Sequence, residues 1–90
     1  MLMSSKIEFD GNKNVIYKNV KLFRVKRDLT QSQLAAKLQT MNINIDQQMI
    51  SRIENNSRFV TDYELACLCL ILNVDVKDML QDFYDGLDKD

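Results

Sequence analysis

Between Asp46 and Asn56 the chain reads DQQMISRIENN. Five side chains there, Gln47, Gln48, Ser51, Arg52 and Asn55, are spaced for one face of a helix. At about 100° per residue from Gln47 they fall between roughly 0° and 140°, while Met49, Ile53 and Ile50 fall between about 200° and 300°. An ordinary solvated face is rich in Lys and Glu; this one is built of amides, a hydroxyl and a guanidinium. An amide presents a donor beside an acceptor, the complement of adenine's major-groove edge, and a guanidinium matches O6 and N7 of guanine. The chemistry open to this stretch is therefore reading of base edges. Gln47, Gln48, Met49, Ser51 and Arg52 are the candidate base readers, Met49 through an apolar contact. Bond-making chemistry has no support: the chain has no His, no glycine-rich phosphate loop and no nucleophile beside a base, so an enzyme is not expected.

The flanking residues supply the elements that hold such a helix. Asp46 is a good N-cap, and Ile45 with Ile50 forms a hydrophobic staple across it. Upstream, Thr30 and Gln33 make a capping box, Leu29 and Leu34 its staple, and Leu34, Ala35 and Leu38 one buried face. Asn42 is a plausible stop, because Asn tolerates the left-handed conformation. Val15–Arg27 reads as an earlier helix with Ile16, Val20 and Phe23 in one apolar stripe. Leu22 and Val25 form a second stripe, to be covered by Ile7 and Phe9 or by another subunit. Lys18, Lys21 and Arg24 either approach a phosphate backbone or form a solvated basic face. Downstream, Thr61 and Glu64 make another capping box, stapled by Val60 and Leu65. The helix that follows runs to about Leu72, with Leu65, Leu68, Cys69 and Leu72 as core and Cys67, Leu70 and Ile71 outside that stripe. Asn73 ends it, Asp75 caps a last helix stapled by Val74 and Met79, and Gly86 is the expected stop. The fold class expected is all-α, with five short helices.

Taken together, LTQSQLAAKL, ISRIENN and DYELACLCLILNVDVKDML resemble the phage-repressor and Cro-type (XRE-like) helix-turn-helix domain. The resemblance implies a compact five-helix, lambda-repressor-like domain over residues 15–81, an N-terminal arm over 1–14 and an acidic tail over 82–90. It further implies that the Gln47–Asn55 helix lies in the major groove. Base contacts then fall on Gln47, Gln48 and Arg52, and phosphate contacts on Gln31 and on Asn55 or Asn56. Lys37 and Arg58 extend the phosphate set as basic residues of the same region. The chain departs from the family in two places. Leu38 and Ile50 stand twelve positions apart, wider than the commoner spacing, so the extra residues Met41–Ile45 lengthen the turn. Their apolar–polar alternation predicts that Ile43 and Ile45 tuck into the core. Asn56 stands where the family often has Gly.

Composition bounds the rest. Ninety residues with 46% hydrophobic content allow one domain with a small core, the size at which pairing of chains adds stability. The longest apolar run, Leu65–Leu72, is too short to span a membrane, and no secretory signal is visible, so a cytoplasmic location is expected. Cys67 and Cys69 point about 200° apart on a helix, which excludes a shared metal or a mutual disulfide. Neither a metal nor a cofactor is expected. Net charge is −1, but Asn12–Thr61 carries nine basic and three acidic residues, a local +6, and Asp62–Asp90 two basic and eight acidic, a local −6. The candidate reading helix lies in the basic part. The expectation is a sequence-specific transcriptional repressor acting as a homodimer on a near-palindromic double-stranded operator. Cys67, Leu70, Phe83 and Tyr84 are the candidate dimer contacts. The alternative is a protein-interaction module on the same fold, antitoxin-like or anti-repressor-binding, with a regulatory protein as its partner.

Overall fold

The computed structural model describes residues 11–87. The described residues form helices α1 (Tyr17–Lys26), α2 (Gln31–Thr40), α3 (Gln47–Glu54), α4 (Asp62–Leu72), α5 (Val76–Met79) and α6 (Gln81–Leu87), with no strand among them. This is the all-α class expected. Ile7 and Phe9 lie outside the described residues.

Local hydrogen-bond chemistry sets most helix boundaries. At α2 the Gln33 N–H donates to Thr30 Oγ1 (3.0 Å), and Gln33 Oε1 accepts from the Thr30 N–H (2.8 Å). At α4 Thr61 and Glu64 exchange the same two bonds at 3.2 and 3.0 Å. At α3 the Met49 N–H donates to Asp46 Oδ1 (2.8 Å), while the Asp46 N–H points at the Met49 thioether sulfur at 3.4 Å. Sulfur is a weak acceptor, so this box is lopsided. Asp75 precedes α5 in extended geometry, but its side chain makes no cap bond.

Helices α1 to α4 end in one way. Asp28, Asn42, Asn56 and Asn73 take φ of 57°, 62°, 61° and 53°, each turning the next N–H back onto the last helical turn. Leu29 donates to Arg24 O, Ile43 to Leu38 O, Ser57 to Arg52 O and Val74 to Cys69 O. That is the bonding of a left-handed C-terminal cap, reached here with Asp and Asn in place of glycine.

Two boundaries differ from expectation. The last helix is interrupted at Leu80, whose carbonyl accepts from both Phe83 (3.1 Å) and Tyr84 (3.3 Å), so the chain restarts as α6. Gly86 lies inside α6 instead of stopping it, since glycine lowers helix propensity without forcing an end. Residues 82–87 of the acidic tail are therefore helical.

The core is Ile16 just before α1, Val20 of α1, Leu34, Ala35 and Leu38 of α2, Ile50 and Ile53 of α3, Leu68, Cys69 and Leu72 of α4, and Met79 of α5. Ile43 and Ile45 complete it from the long turn. The alternation predicted this: a two-residue period puts both on one side of an extended segment. Gln39 Nε2 donates to Ile45 O at 3.2 Å and fastens the turn to α2. Leu22, Val25 and Leu70 stay exposed, the last at 69%, as does Tyr84 at 50%. Cys67 and Phe83 are half-buried. No described helix is long and apolar enough to cross a membrane.

Candidate nucleic-acid interface

Ile50 and Ile53 bury one side of α3, and the opposite side stands clear of the fold. Gln47, Gln48, Arg52 and Asn55 are exposed, and Ser51 and Met49 are half-buried. Met49 packs against the core and its sulfur faces the Asp46 N–H, so its apolar surface is largely spent within the protein. The side chains of Gln48 and Arg52 have no hydrogen-bond or ionic partner among the described residues, nor does Lys37 on α2. These three are unengaged and in solvent.

Gln47 is held. Its Nε2 donates to Gln31 Oε1 at 2.9 Å, and Gln31 Nε2 donates to Glu54 Oε1 at 3.0 Å. Glu54 in turn accepts from Arg24 Nε at 2.6 Å and Nη2 at 2.9 Å, while Arg24 Nη1 donates to Leu29 O at 2.8 Å. A bidentate pair of this kind is directional as well as strong. The side chains of Arg24 and Glu54 are only 11% and 3% exposed. Hydrogen bonding to Glu54 raises the Arg24 pKa above the usual guanidinium value, against the desolvation that would lower it. A guanidinium keeps its charge in any case, and the carboxylate that meets its fork offsets the cost of burying it.

That geometry corrects the reading of Arg24 as a surface cation able to reach a phosphate backbone. The residue is buried and joins α1 to α3. Lys18 and Lys21 remain exposed.

Two residues expected at phosphates have internal partners. Asn56 Oδ1 accepts from the backbone N–H groups of Lys13 (2.8 Å) and Asn14 (3.2 Å), and its Nδ2 donates to Asn12. Arg58 donates through Nη1 and Nη2 to Glu64 Oε1 and Oε2 at 3.0 and 3.1 Å, and through Nη1 to Phe59 O. The Arg58 hydrogen bonds hold the Glu64 carboxyl below its usual range, although burial pushes the other way. Asn14, outside the domain boundary expected from sequence, donates to both Ile53 O (3.1 Å) and Arg58 O (3.0 Å). It ties the exit of α3 to the segment before α1.

Sequence reading missed Glu54 and Asn14. Glu54 carried a signal, being one of only three carboxylates between Asn12 and Thr61. A lone acid on a helix of neutral and basic polar residues calls for a partner.

The exposed charges of the described residues differ in balance between the two halves of the chain. Lys18, Lys21, Lys37 and Arg52 are exposed on α1 to α3, and Asp62, Asp75, Asp78, Asp82 and Asp85 are exposed on or beside α4 to α6. No cluster of metal-ligating side chains occurs among the described residues.

By sequence, residues 20–78 match the helix-turn-helix family, well over half of the chain and including all of α2, α3 and α4. A crystal structure of a hypothetical transcription factor from Neisseria is similar at a TM-score of 0.66 and 18% identity, over 99% of this chain and 98% of that one. At that identity the likeness speaks to the fold. Among curated proteins, none matches the sequence.

Proposed function

The chain belongs to the helix-turn-helix family, and on that premise we propose that it is a sequence-specific, double-stranded-DNA-binding regulator of transcription. It acts as a repressor by occupying its site. The observation that carries this reading is the exposed amide and guanidinium face of α3, with Gln48 and Arg52 unengaged and Gln47 held at the helix N-terminus. Gln47, Gln48, Ser51 and Arg52 read base edges, with Met49 at the margin of that contact. Gln31, Lys37 and Asn55 contact phosphates, whereas Asn56 and Arg58 act mainly by holding the backbone around the helix exit. Phosphate contacts supply affinity and base contacts supply choice.

The protein works as a homodimer, placing two copies of α3 about 34 Å apart in successive major grooves of a near-palindromic operator. Exposed Leu70 and Tyr84, with half-buried Cys67 and Phe83, support pairing through α4 and α6. Selection of bound fragments from a random DNA pool at roughly physiological salt, where the Debye length is about 8 Å, tests both statements. Two mirrored half-sites are expected. A single half-site would remove the dimer, and absence of enrichment by folded protein would remove the regulator.

A second reading draws on exposed Leu70 and Tyr63 beside the acidic α4–α6 surface: a protein-interaction module with DNA contact secondary. Tight binding to a protein partner without any salt-dependent DNA binding would favour it.

A further inference from the structure

From the ordered chain Arg24–Glu54–Gln31–Gln47 we infer that Glu54 is a positioning residue for base choice. It fixes which end of the Gln47 amide faces a base pair, without touching the DNA. The inference rests on the DNA-reading function proposed above.

A glutamine amide is nearly symmetric in shape and can turn end for end, exchanging its donor and its acceptor. On an exposed helix nothing ordinarily prevents that turn. Here the chain of bonds has one end of fixed character. An ionised carboxylate only accepts, and a guanidinium only donates. Because Arg24 meets Glu54 through two donors at 2.6 and 2.9 Å, the oxygen that faces Gln31 at 3.0 Å can only accept. Gln31 must therefore turn its Nε2 toward Glu54 and its Oε1 toward Gln47. Gln47, at 2.9 Å from that oxygen, must present its Nε2 to Gln31. Two successive amides are oriented by one buried charge.

Gln47 is left with one N–H and with Oε1 for a partner, in a defined order along α3. An amide donor and acceptor complement adenine N7 and N6. With the order fixed, the same side chain fits an A·T pair in one direction and mismatches the reversed pair. A freely turning amide would accept both orientations more evenly.

The test compares base preference at the single position read by Gln47 for the full-length protein and three variants, using the selected DNA site and single-base changes in it. Gln47→Ala identifies the position by flattening preference there alone. Glu54→Gln is close in shape but places a donor where only an acceptor stood, so the relay can run either way. Gln31→Ala cuts the relay and leaves the Arg24–Glu54 pair intact. Both are expected to lower discrimination between the pair and its reverse by about three- to tenfold at that position, a part of the roughly 5- to 150-fold that a bidentate contact provides. Preference at the positions read by Gln48 and Arg52 should not move.

A second readout needs no DNA. In the free protein the two Gln47 side-chain amide protons should be widely separated in NMR shift, one of them hydrogen-bonded, and should converge in Gln31→Ala and Glu54→Gln. Convergence with unchanged base preference would overturn the inference while leaving DNA reading in place. Gln47→Ala without any position-specific effect would remove Gln47 from base reading and the inference with it. Retained proton separation in Gln31→Ala would overturn the relay directly, and a melting curve on each variant establishes that it is folded.

Discussion

Replacing Arg58 with methionine separates its internal role from an external one. Arg58 gives two hydrogen bonds to Glu64, whose side chain is 10% exposed against 23% for Arg58. Arg58→Met preserves apolar bulk but leaves the carboxylate with the Thr61 N–H at 3.0 Å as its remaining partner. Unpairing a fully buried charge costs about 3–5 kcal/mol. The partial exposure of Arg58 and the retained cap bond reduce that here to about 2–3 kcal/mol. In a domain of this size the loss lowers the melting temperature by about 10–20 °C.

The pH dependence has a definite sign. Arg58 depresses the folded-state Glu64 pKa, so the pair's contribution is fully present above the unfolded value of roughly 4.3 and disappears as pH falls through the lower folded value. Urea unfolding followed by circular dichroism at pH 7 and at pH 3 measures both effects. The gap between wild type and Arg58→Met should be largest at pH 7 and should shrink in acid. A gap below about 0.5 kcal/mol at pH 7, the range of an ordinary surface change, would refute the reasoning. So would a larger gap that persists unchanged at pH 3.

Three further outcomes follow from the fold and the interface. Gln48→Ala and Arg52→Ala should each cost about 1–3 kcal/mol on the preferred DNA site and relax choice at one position; titration against single-base variants checks this, and equal weakening on every sequence would remove the base-reading role. Ile45→Ala, at a side chain with 0% exposure, should destabilise by about 2–5 kcal/mol in chemical unfolding, and a near-neutral result would show that the long turn is not packed as described. Asn56→Gly keeps the left-handed stop but removes the side-chain bonds to residues 12–14, leaving Asn14 its own bonds to Ile53 O and Arg58 O, and should cost about 1–2 kcal/mol, while Asn56→Ala should cost about a further 1 kcal/mol for a left-handed alanine; equal stability of the two variants would contradict the left-handed stop.

What the sequence made legible was local. The Thr30 and Thr61 boxes, the Asp46 cap and the stops at Asn42 and Asn73 depend on residues within a few positions, and the structure reproduces them. Ile43 and Ile45 were legible because alternation is also local. Arg24 was misread because a helix pattern cannot show that Glu54, thirty positions on, will meet it. Arg58 and Asn56 were marked for phosphates by type and place; the Asn56 partners Lys13 and Asn14 emerge only once the chain has folded back, and Glu64, six positions from Arg58, was read only as half of its own capping box. Asp28 ends α1 at φ 57° without the glycine or asparagine that would have announced it. The break at Leu80, whose carbonyl opens α6, is signalled by no residue type. On α3, the polar face was correctly drawn, but periodicity cannot distinguish Gln47, tied to its neighbour, from Gln48, which is not.

The four left-handed stops bear on the unfolded chain as much as on the folded one. Glycine at Asp28, Asn42, Asn56 and Asn73 would relieve the native strain of φ between 53° and 62° and would also loosen the denatured ensemble. A glycine-to-alanine exchange in a compatible conformation shifts stability by about 0.4–1 kcal/mol through that ensemble alone, comparable with the strain relieved. The two effects oppose each other, so glycine would bring little net change at Asp28, Asn42 and Asn73. The chain, with only two glycines in 90 residues, thus starts folding from a comparatively restricted population. A side chain at a helix stop can also serve as a tether, as Asn56 does for residues 12–14, and a glycine there would end the helix while holding nothing.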